Sequence, residues 1–506
     1  MKPEYSGIVF YFFVFSFLFA PSLAFQHFGE RKNLILLLVS IFPAFVGYVW
    51  ILVGTRSFPK RFRRRCSDLW NRVVSEDRDN RFPGDFLESP FVRKQVLRFS
   101  SPFNKFNILN IPFRFWIGFG ILIRVILLFS DPVLSEDVYR FLWDGLLLTQ
   151  ELSPFSFLPK EFSWIDAPLE LRPIYLELLI DMNSLKFYSV YPPILQFLFW
   201  ISAIGMLFWK NVQIGILIWK CFLLLSEFGV LLFLLSIFKK RNIPFVYSLI
   251  YWMNPLVLLE IGGNAHPESI LLFFLIGTAE FAVRWMESDR VADFLKFGFF
   301  FLCGILTKIT PLILVPFFLF VFWKRKKFFV LVSCSAGIAL CAFGLFLGGE
   351  GILKQEADGL GVFFQLFEFN GSSYYVLREF LRAIGENFYA AGKLCGAITL
   401  VAISIFSFQK RDTTGLKASF TAIETIYLIF LLFSTTVHPW YILPLLLASI
   451  FSGNVYPIVW SFLIFVSYST YSSVPYRDSP IWLCFEYGVL FLFLHIDYKS
   501  RSLQNE

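Results

Sequence analysis

Charged residues are scarce in this chain of 506 residues: Asp, Glu, Lys and Arg make up only 16% of it, whereas 57% is hydrophobic. This composition, with a mean hydropathy of +0.65, excludes an ordinary water-soluble enzyme. Apolar runs recur from residues 8–25 to residues 483–496. The sequence therefore predicts an all-α, polytopic integral membrane helical bundle of roughly 12–14 transmembrane helices.

Signatures of cofactor, metal and nucleotide binding are also missing. The seven Cys residues show no spacing typical of a disulfide framework or a metal site, and no zinc-type His/Asp/Glu cluster occurs. There is no phosphate-cradling glycine loop and no nucleotide fingerprint, which disfavours a soluble nucleotide sugar or ATP as the direct substrate. We expect that no cofactor is required and identify no metal ligands, although assistance by a divalent metal stays open.

Basic loops account for most of the net charge of +8. Residues 56–105 carry thirteen Lys or Arg against six Asp or Glu, and smaller basic clusters lie at 239–241, 324–327 and 410–411. The positive-inside rule places these loops in the cytoplasm. Residues 1–110 are then a transmembrane hairpin followed by a basic cytoplasmic loop. Anionic lipid headgroups explain that loop, so membrane lipids rather than nucleic acid are its expected partners.

One apolar helix, residues 111–129, leads from the basic loop to an adjacent carboxylate pair, Glu136 and Asp137. The orientation places this pair, and residue 438, at the extracytoplasmic face. The segment 191–238 does not fit this topology directly. It must run from the outside to the inside, which takes an odd number of crossings, yet it consists of two apolar runs. Either one run is re-entrant or the second is broken.

The acidic pair suits general-base chemistry on a lipid-borne substrate, because a carboxylate at the membrane boundary stays ionised. Two converging carboxylates do not titrate independently, so one of them is able to accept a proton while the other stays protonated. The alternative is a helix cap in which Ser135 is the N-cap and both acids complement the helix dipole. The spacing alone leaves both interpretations open.

The candidate substrate-binding residues share the face of the acidic pair. Helical spacing puts Tyr139, Arg140 and Asp144 near Glu136. A lysine between two short apolar arms, Lys308, needs a phosphate or a carboxylate as partner. The other candidates are His266 and Glu268, at a predicted helix N-terminus that attracts anions, and Tyr191, Arg378, His438 and Trp440 in the outer loops.

The motifs at residues 135–145, 152–155, 191–196, 254–268, 307–311 and 438–441 resemble, in this order, the multi-spanning C-type glycosyltransferases. In particular they resemble bacterial mannosyltransferase-like members that use polyprenyl-phosphate sugars. The resemblance covers residues 111–450, which would form the glycosyltransferase-like membrane core with outer loops 131–190 and 349–388 and juxtamembrane helices. Residues 451–506 would add C-terminal transmembrane helices and a short cytoplasmic tail.

The resemblance implies an inverting transfer from a polyprenyl-phosphate sugar to a lipid or glycan acceptor, at the outer face of the cytoplasmic membrane. By position, Asp137 matches the family's catalytic base, and Glu136 would orient it or bind a sugar hydroxyl. Lys308, Arg140 and the helix end at His266 would neutralise the leaving lipid phosphate. The sequence departs from the family at 152–155, where Leu-Ser-Pro-Phe replaces the usual Asn-Pro-Tyr, and the N-terminal hairpin lies outside the common pattern.

A multi-pass transporter or lipid flippase without transferase activity is the alternative. Its support is a set of ionisable residues within apolar runs that would line a pathway. These residues are Arg124, Lys220, Glu227, Glu260 and Lys308. Against it, the chain shows neither inverted repeats nor paired interrupted helices.

Overall fold

The computed structural model describes residues 3–163, 165, 167–323, 367–411 and 413–505, except for 55–110. Regular structure within these ranges is helical, apart from one isolated bridge between Phe369 and Thr436. This confirms the predicted all-α fold. The basic loop at 56–105, Cys66, the cluster at 324–327 and the first part of the loop 349–388 lie outside the described residues.

Eighteen helical segments make up most of the described bundle, several of them including 3-10 or π turns, and three short 3-10 turns and the 3-10 segment Ile464–Ser472 after α17 are not numbered. They are α1 Pro3–Phe28, α2 Leu34–Gly54, α3 Phe113–Leu128, α4 Asp137–Thr149, α5 Arg172–Asp181, α6 Pro193–Trp209, α7 Val212–Arg241, α8 Phe245–Trp252, α9 Pro255–Gly263, α10 Glu268–Ser288, α11 Val291–Thr307, α12 Thr310–Phe322, α13 Ser373–Ala383, α14 Ala391–Gln409, α15 Leu416–Phe433, α16 Pro439–Ser452, α17 Tyr456–Leu463 and α18 Pro480–Asn505.

Six helices of the described chain are long and apolar enough to cross a membrane, or seven if the pair α8 and α9, bent by 51°, forms one broken span. Four shorter apolar helices are α6, α12, α16 and the segment Tyr11–His27 of α1. These helices support a multi-pass membrane protein. The predicted total of 12–14 crossings stays a prediction, because the six or seven candidate spans belong to the described residues alone.

A buried ion pair fixes three central helices. Arg124 of α3 contacts Glu227 of α7 at 2.6 Å, and both side chains are 1% exposed. The guanidinium also donates to the carbonyl oxygen of Trp252 at the end of α8 and stacks 3.7 Å from its ring. A charge in an apolar interior is costly unless it is paired, so these contacts set the relative positions of the three helices.

The bundle has two ends, which we call the acidic-pair end, marked by Glu136, and the basic end, marked by Arg241. The loop 29–33 between α1 and α2 lies at the acidic-pair end, because Arg31 contacts Glu136. The loops after α15 and before α18 lie there too. Phe369 donates to the carbonyl of Thr435, and Asn370 donates to Asp478. Ser472, just before the loop into α18, donates to the carbonyl of Lys32, which joins these loops to the loop 29–33.

Helix α7 makes the crossing that the sequence left undecided, and it continues without a break through Ser226 and Glu227. Its 30 residues extend about 45 Å, against about 30 Å of bilayer hydrocarbon. The long helix therefore has room for both a span and an extension. Lys220 donates to the carbonyl of Leu127 at the end of α3, so residues before Lys220 extend at the acidic-pair end.

Both ends of α6 lie at the acidic-pair end. The helix starts just after Tyr191, and Lys210 at its C-cap pairs with Glu170 in the loop that follows α4. Along its length α6 packs against α4, where the backbone of Phe199 lies against Gly145. The first apolar run of the segment 191–238 is therefore the one that does not cross by itself.

The placement of α6 predicts the accessibility of Lys210. In a background cleared of other reactive thiols, Lys210→Cys should react with a membrane-impermeant maleimide on intact cells. Asn242→Cys, at the opposite end of α7, is the matched control and should react only after permeabilisation, as should Cys66 in a variant that keeps it as its one reactive thiol. Labelling of Lys210→Cys only after permeabilisation would mean that α6 crosses the membrane.

Candidate active site

The acidic pair opens helix α4. The helix begins at Asp137, and its N-cap residue is Glu136, whose side chain makes no capping hydrogen bond. Ser135, the N-cap in the alternative interpretation, precedes that position and accepts the Asp137 N–H at 3.3 Å. The Glu136 carboxylate therefore has a partner elsewhere, and a simple capping role does not describe it.

That partner is Arg31, from the loop between α1 and α2. Its two terminal nitrogens each lie 2.6 Å from a different oxygen of Glu136, which is a bidentate ion pair. The guanidinium also lies 4.3 Å from the ring centroid of Tyr471. The Asn183 amide contacts Glu136 at 3.2 Å and Asp137 at 3.4 Å. Sequence reasoning missed Arg31, Asn183 and Tyr471, because no local spacing connects them with the pair.

Asp137 keeps partial exposure and makes no ion pair among the described residues. Burial raises its pKa, and the like charge of Glu136 raises it further, whereas Asn183, Ser135 and Arg31 act in the opposite direction. Because a general base works best when its pKa is near the operating pH, this environment suits a base. The charge of Asp137 also acts on Tyr191, Glu268 and Tyr441, so these groups lie in its electrostatic surroundings.

Lys308 follows the last residue of α11 and pairs with Glu268, the first residue of α10. Its ammonium lies 4.1 Å from the ring centroid of Tyr441. The Lys308 side chain is 23% exposed and that of Glu268 only 1%. The sequence left phosphate or carboxylate as the partner, and in the unliganded protein it is the carboxylate. A cavity here is lined by Glu268, Lys308, Thr310, Tyr427, Trp440 and Tyr441.

Two histidines stack on Trp440. The ring centroid of His266 lies 3.4 Å and that of His438 4.4 Å from the indole, and both imidazoles are nearly parallel to it. Burial lowers the pKa of His266 well below its usual value, and burial followed by Lys308 lowers the pKa of His438 to about 3. Both imidazoles are therefore neutral near pH 7. Their stacked rings pack against the indole and add no positive charge to the site.

Arg140 and Asp144 form a buried ion pair along α4, at 2.7 Å. Arg140 also donates to the carbonyl oxygens of Ser184 and Phe187, and Asp144 accepts from Ser189 and Gln196. These bonds fasten the loop before α6 to α4. Such contacts favour a structural role for both residues over the phosphate contact that the sequence predicted for Arg140.

Two tyrosines lie near the start of α4, Tyr139 on the helix itself and Tyr191 packed against it. The ring of Tyr191 packs edge-on against Phe141 at 5.0 Å, and burial raises its pKa strongly, with Asp137 adding to the effect. Burial raises the pKa of Tyr139 to about 12. Both phenols are therefore neutral near pH 7 and keep a hydroxyl that is able to donate a hydrogen bond.

Arg378 belongs to a separate cluster on α13. It pairs with Glu368 and Glu379 and lies 4.7 Å from the ring centroid of Tyr375. Tyr375 in turn donates to Asp478. No contact of the described residues joins Arg378 to the acidic pair, so the structure does not bring this candidate into the cleft. A ring contact between Phe369 and His438, at 4.7 Å, connects the two regions.

The ionisable residues that suggested a transport pathway contact other protein groups. Arg124 pairs with Glu227, and Lys220 donates to carbonyl oxygens at the end of α3. Glu260 accepts from the Tyr468 hydroxyl at 2.9 Å. These partners explain how the charged groups are accommodated in an apolar bundle without a pathway.

The described ranges contain no group of three or more His, Cys, Asp or Glu residues that could hold a metal ion. The four cysteines described there, at 221, 303, 395 and 484, are free. The expectation that the protein requires no cofactor stays a prediction, and assistance by a divalent metal stays open.

Comparison with known proteins identifies one domain. Residues 121–324 match the family model of the alpha-(1->6)-mannopyranosyltransferase N-terminal domain, which is a C-type glycosyltransferase family. The matched region covers about two fifths of the chain and includes Asp137, Glu268 and Lys308 but not Arg31 or Trp440. No curated protein and no solved structure matches the chain. The match confirms the resemblance and supports a mannosyltransferase.

The pairing of Lys308 with Glu268 predicts a stability effect. Lys308→Met should lower the free energy of unfolding by about 2 kcal/mol, less than for a fully buried pair because Lys308 is partly exposed. The added change Glu268→Gln should recover part of the loss, because it removes the stranded charge. Thermal unfolding of the purified protein measures both.

The matched control is Lys296→Met, which removes an exposed lysine from α11, the helix that Lys308 follows. It should leave the melting temperature nearly unchanged. An unchanged melting temperature for Lys308→Met would contradict the pairing with Glu268.

Proposed function

We propose that this protein transfers a hexosyl unit, of the mannosyl type, from a polyprenyl-phosphate donor to a lipid or glycan acceptor. The transfer inverts the anomeric centre and takes place at the extracytoplasmic face of the cytoplasmic membrane. The observation that carries the proposal is the position of Asp137, a carboxylate without an ion pair among the described residues, whose charge acts on Glu268, the partner of the partly exposed cation Lys308. The mannosyltransferase-family domain supports the choice of reaction and sugar.

Asp137 is the general base in this reaction. The acceptor hydroxyl oxygen attacks the anomeric carbon, and its proton passes to Asp137 as the new bond forms. The bond between the anomeric carbon and the phosphate oxygen breaks, and polyprenyl phosphate leaves with the bonding electrons. Attack from the side opposite the leaving phosphate inverts the anomeric centre. The donor's own phosphate provides the leaving group, so the reaction requires no cofactor.

Lys308 is the proposed ligand of the donor phosphate. Its ammonium is the accessible member of the pair with Glu268, and an aromatic ring, that of Tyr441, covers one side of it. The leaving phosphate gains negative charge in the transition state, and a fixed cation in a poorly hydrated cleft stabilises that charge more than it would in water. Trp440, which stacks on His266, lines the same cavity and adds an apolar wall beside it.

Glu136 has a supporting part in this scheme. Its carboxylate is bound by Arg31, which leaves Asp137 as the acid of the pair that makes no ion pair among the described residues. The Asn183 amide contacts both acids and so fixes their relative orientation. Glu136 therefore orients the base rather than competing with it for the proton.

A first prediction concerns the base itself. Asp137→Asn keeps the volume and polarity of the side chain but removes the proton acceptor, so turnover should fall by about 10²–10⁴-fold. Glu136→Gln should lose less. The measurement is transfer from radiolabelled polyprenyl-phosphate mannose by the purified protein, with the melting temperature as the control for folding. Wild-type turnover in Asp137→Asn would exclude this residue as the base.

A second prediction concerns pH. Only the deprotonated form of Asp137 is active as a base, and burial raises its pKa. Turnover should therefore fall as the pH is lowered through that raised pKa, above the value of about 3.9 for an exposed aspartate. The pH dependence of kcat/KM for the free enzyme checks this expectation. Full activity down to about pH 4 would contradict it.

A further inference from the structure

The N-terminal hairpin reaches the acidic pair from outside the matched domain. Residues 121–324 carry the family match, whereas α1 and α2 precede it. Nevertheless the loop 29–33 supplies Arg31, whose two terminal nitrogens each lie 2.6 Å from an oxygen of Glu136. Arg31 is 16% exposed and Glu136 32%, so the ion pair is half-buried at the mouth of the cleft.

Several contacts hold this loop in place. Gln26, near the end of α1, donates to the carbonyl of Asp131 at 2.9 Å and to the side chain of Asn264 at 3.1 Å. The same Asn264 oxygen accepts the N–H of Leu134, just before the acidic pair. On the other side, Ser472 donates to the carbonyl of Lys32 at 3.0 Å. The hairpin and the segment leading to the acidic pair therefore share their anchors.

We propose that Arg31 is a positioning residue of the active site, which binds Glu136 as a neutral ion pair and leaves Asp137 as the single uncompensated carboxylate of the acidic pair. The inference rests on the proposed role of Asp137 as the base. It also gives a function to the N-terminal hairpin, which completes the site by supplying a charge that the matched domain lacks at this position.

The electrostatic reason is the proximity of two carboxylates. An unpaired Glu136 would repel the charged form of Asp137 and favour its protonation, which would reduce the fraction of active base. A bidentate guanidinium removes most of that repulsion and fixes the orientation of Glu136. Glu136 and Arg31 shift the pKa of Asp137 in opposite directions, the first upward and the second downward.

Other charged and titratable groups also face Asp137 from the surrounding helices. They are Tyr191, Glu260, Glu268, Tyr441 and Tyr471. Lys308 compensates Glu268, and Glu260 accepts hydrogen bonds from Tyr468 and Asn264. Arg31 is therefore the cation that distinguishes the environment of Asp137 from one with two free acids.

A set of four variants tests the proposal through the pH dependence of transfer. Arg31→Gln should move the acidic limb of the kcat/KM profile to higher pH, so its loss of turnover should be several-fold greater on that limb than on the plateau. Glu136→Gln should move the limb to lower pH. The double variant Arg31→Gln/Glu136→Gln should return it toward the wild-type position, and Arg31→Lys should shift it less than Arg31→Gln.

The matched control is Lys32→Gln, which removes the neighbouring exposed cation of the same loop and should leave the limb in place. A limb that stays in place in Arg31→Gln, or that the double variant does not restore, would overturn the proposal. A loss of donor affinity that is equal at every pH would also overturn it, since it would make Arg31 a phosphate ligand.

A measurement without substrate separates this inference from the proposed function. The infrared band of the protonated Asp137 carboxyl, identified by its loss in Asp137→Asn, is followed against pH in the unliganded protein. In Arg31→Gln the band should persist to higher pH than in the wild type. This shift without any sugar transfer would support the positioning of Asp137 and refute the proposed reaction. Sugar transfer without the shift would support the proposed reaction and refute the positioning role of Arg31.

Discussion

The ion pair between Arg124 and Glu227 is the interaction on which the placement of the acidic pair depends. Both groups lie within an apolar bundle, and leaving either one unpaired there would cost several kcal/mol. The pair therefore fixes α3 against α7, and Lys220 adds hydrogen bonds to the last carbonyls of α3. The chain leaves α3 only a few residues before Glu136, so its direction is determined before the active-site loop begins.

Charged groups in the cleft also need partners, but the described residues supply ion pairs to only some of them. Glu136 is bound by two nitrogens of Arg31, and Glu268 is bound by Lys308, whose ammonium is still accessible. Asp137 has no ion-pair partner among the described residues. A carboxylate with raised pKa in a cleft is a common property of functional sites, because such groups are retained for reactivity rather than for stability. The distribution of partners thus separates the reactive acid from the structural ones.

Several residues that the sequence grouped at the site have other partners in the structure. Arg140 pairs with Asp144 one helical turn away, which the i,i+4 spacing permits as readily as a contact with substrate. Arg378 of α13 pairs with Glu379 of the same helix and with Glu368 just before that helix. The histidines on Trp440 were identified by position, but their neutral state follows from burial. Sequence position indicated the face of the membrane for these residues but not their partners.

The sequence by itself determined the all-α membrane fold, because apolar runs near 20 residues long have few other stable structures. It also identified the family resemblance, the acidic pair and the need of Lys308 for an anionic partner. Only the tertiary structure decided that this partner is Glu268, that α6 does not cross by itself, and that Arg31 binds Glu136 from 105 residues away. The physical reason is that these ion pairs join segments distant in the chain, and packing rather than local spacing decides which charges meet.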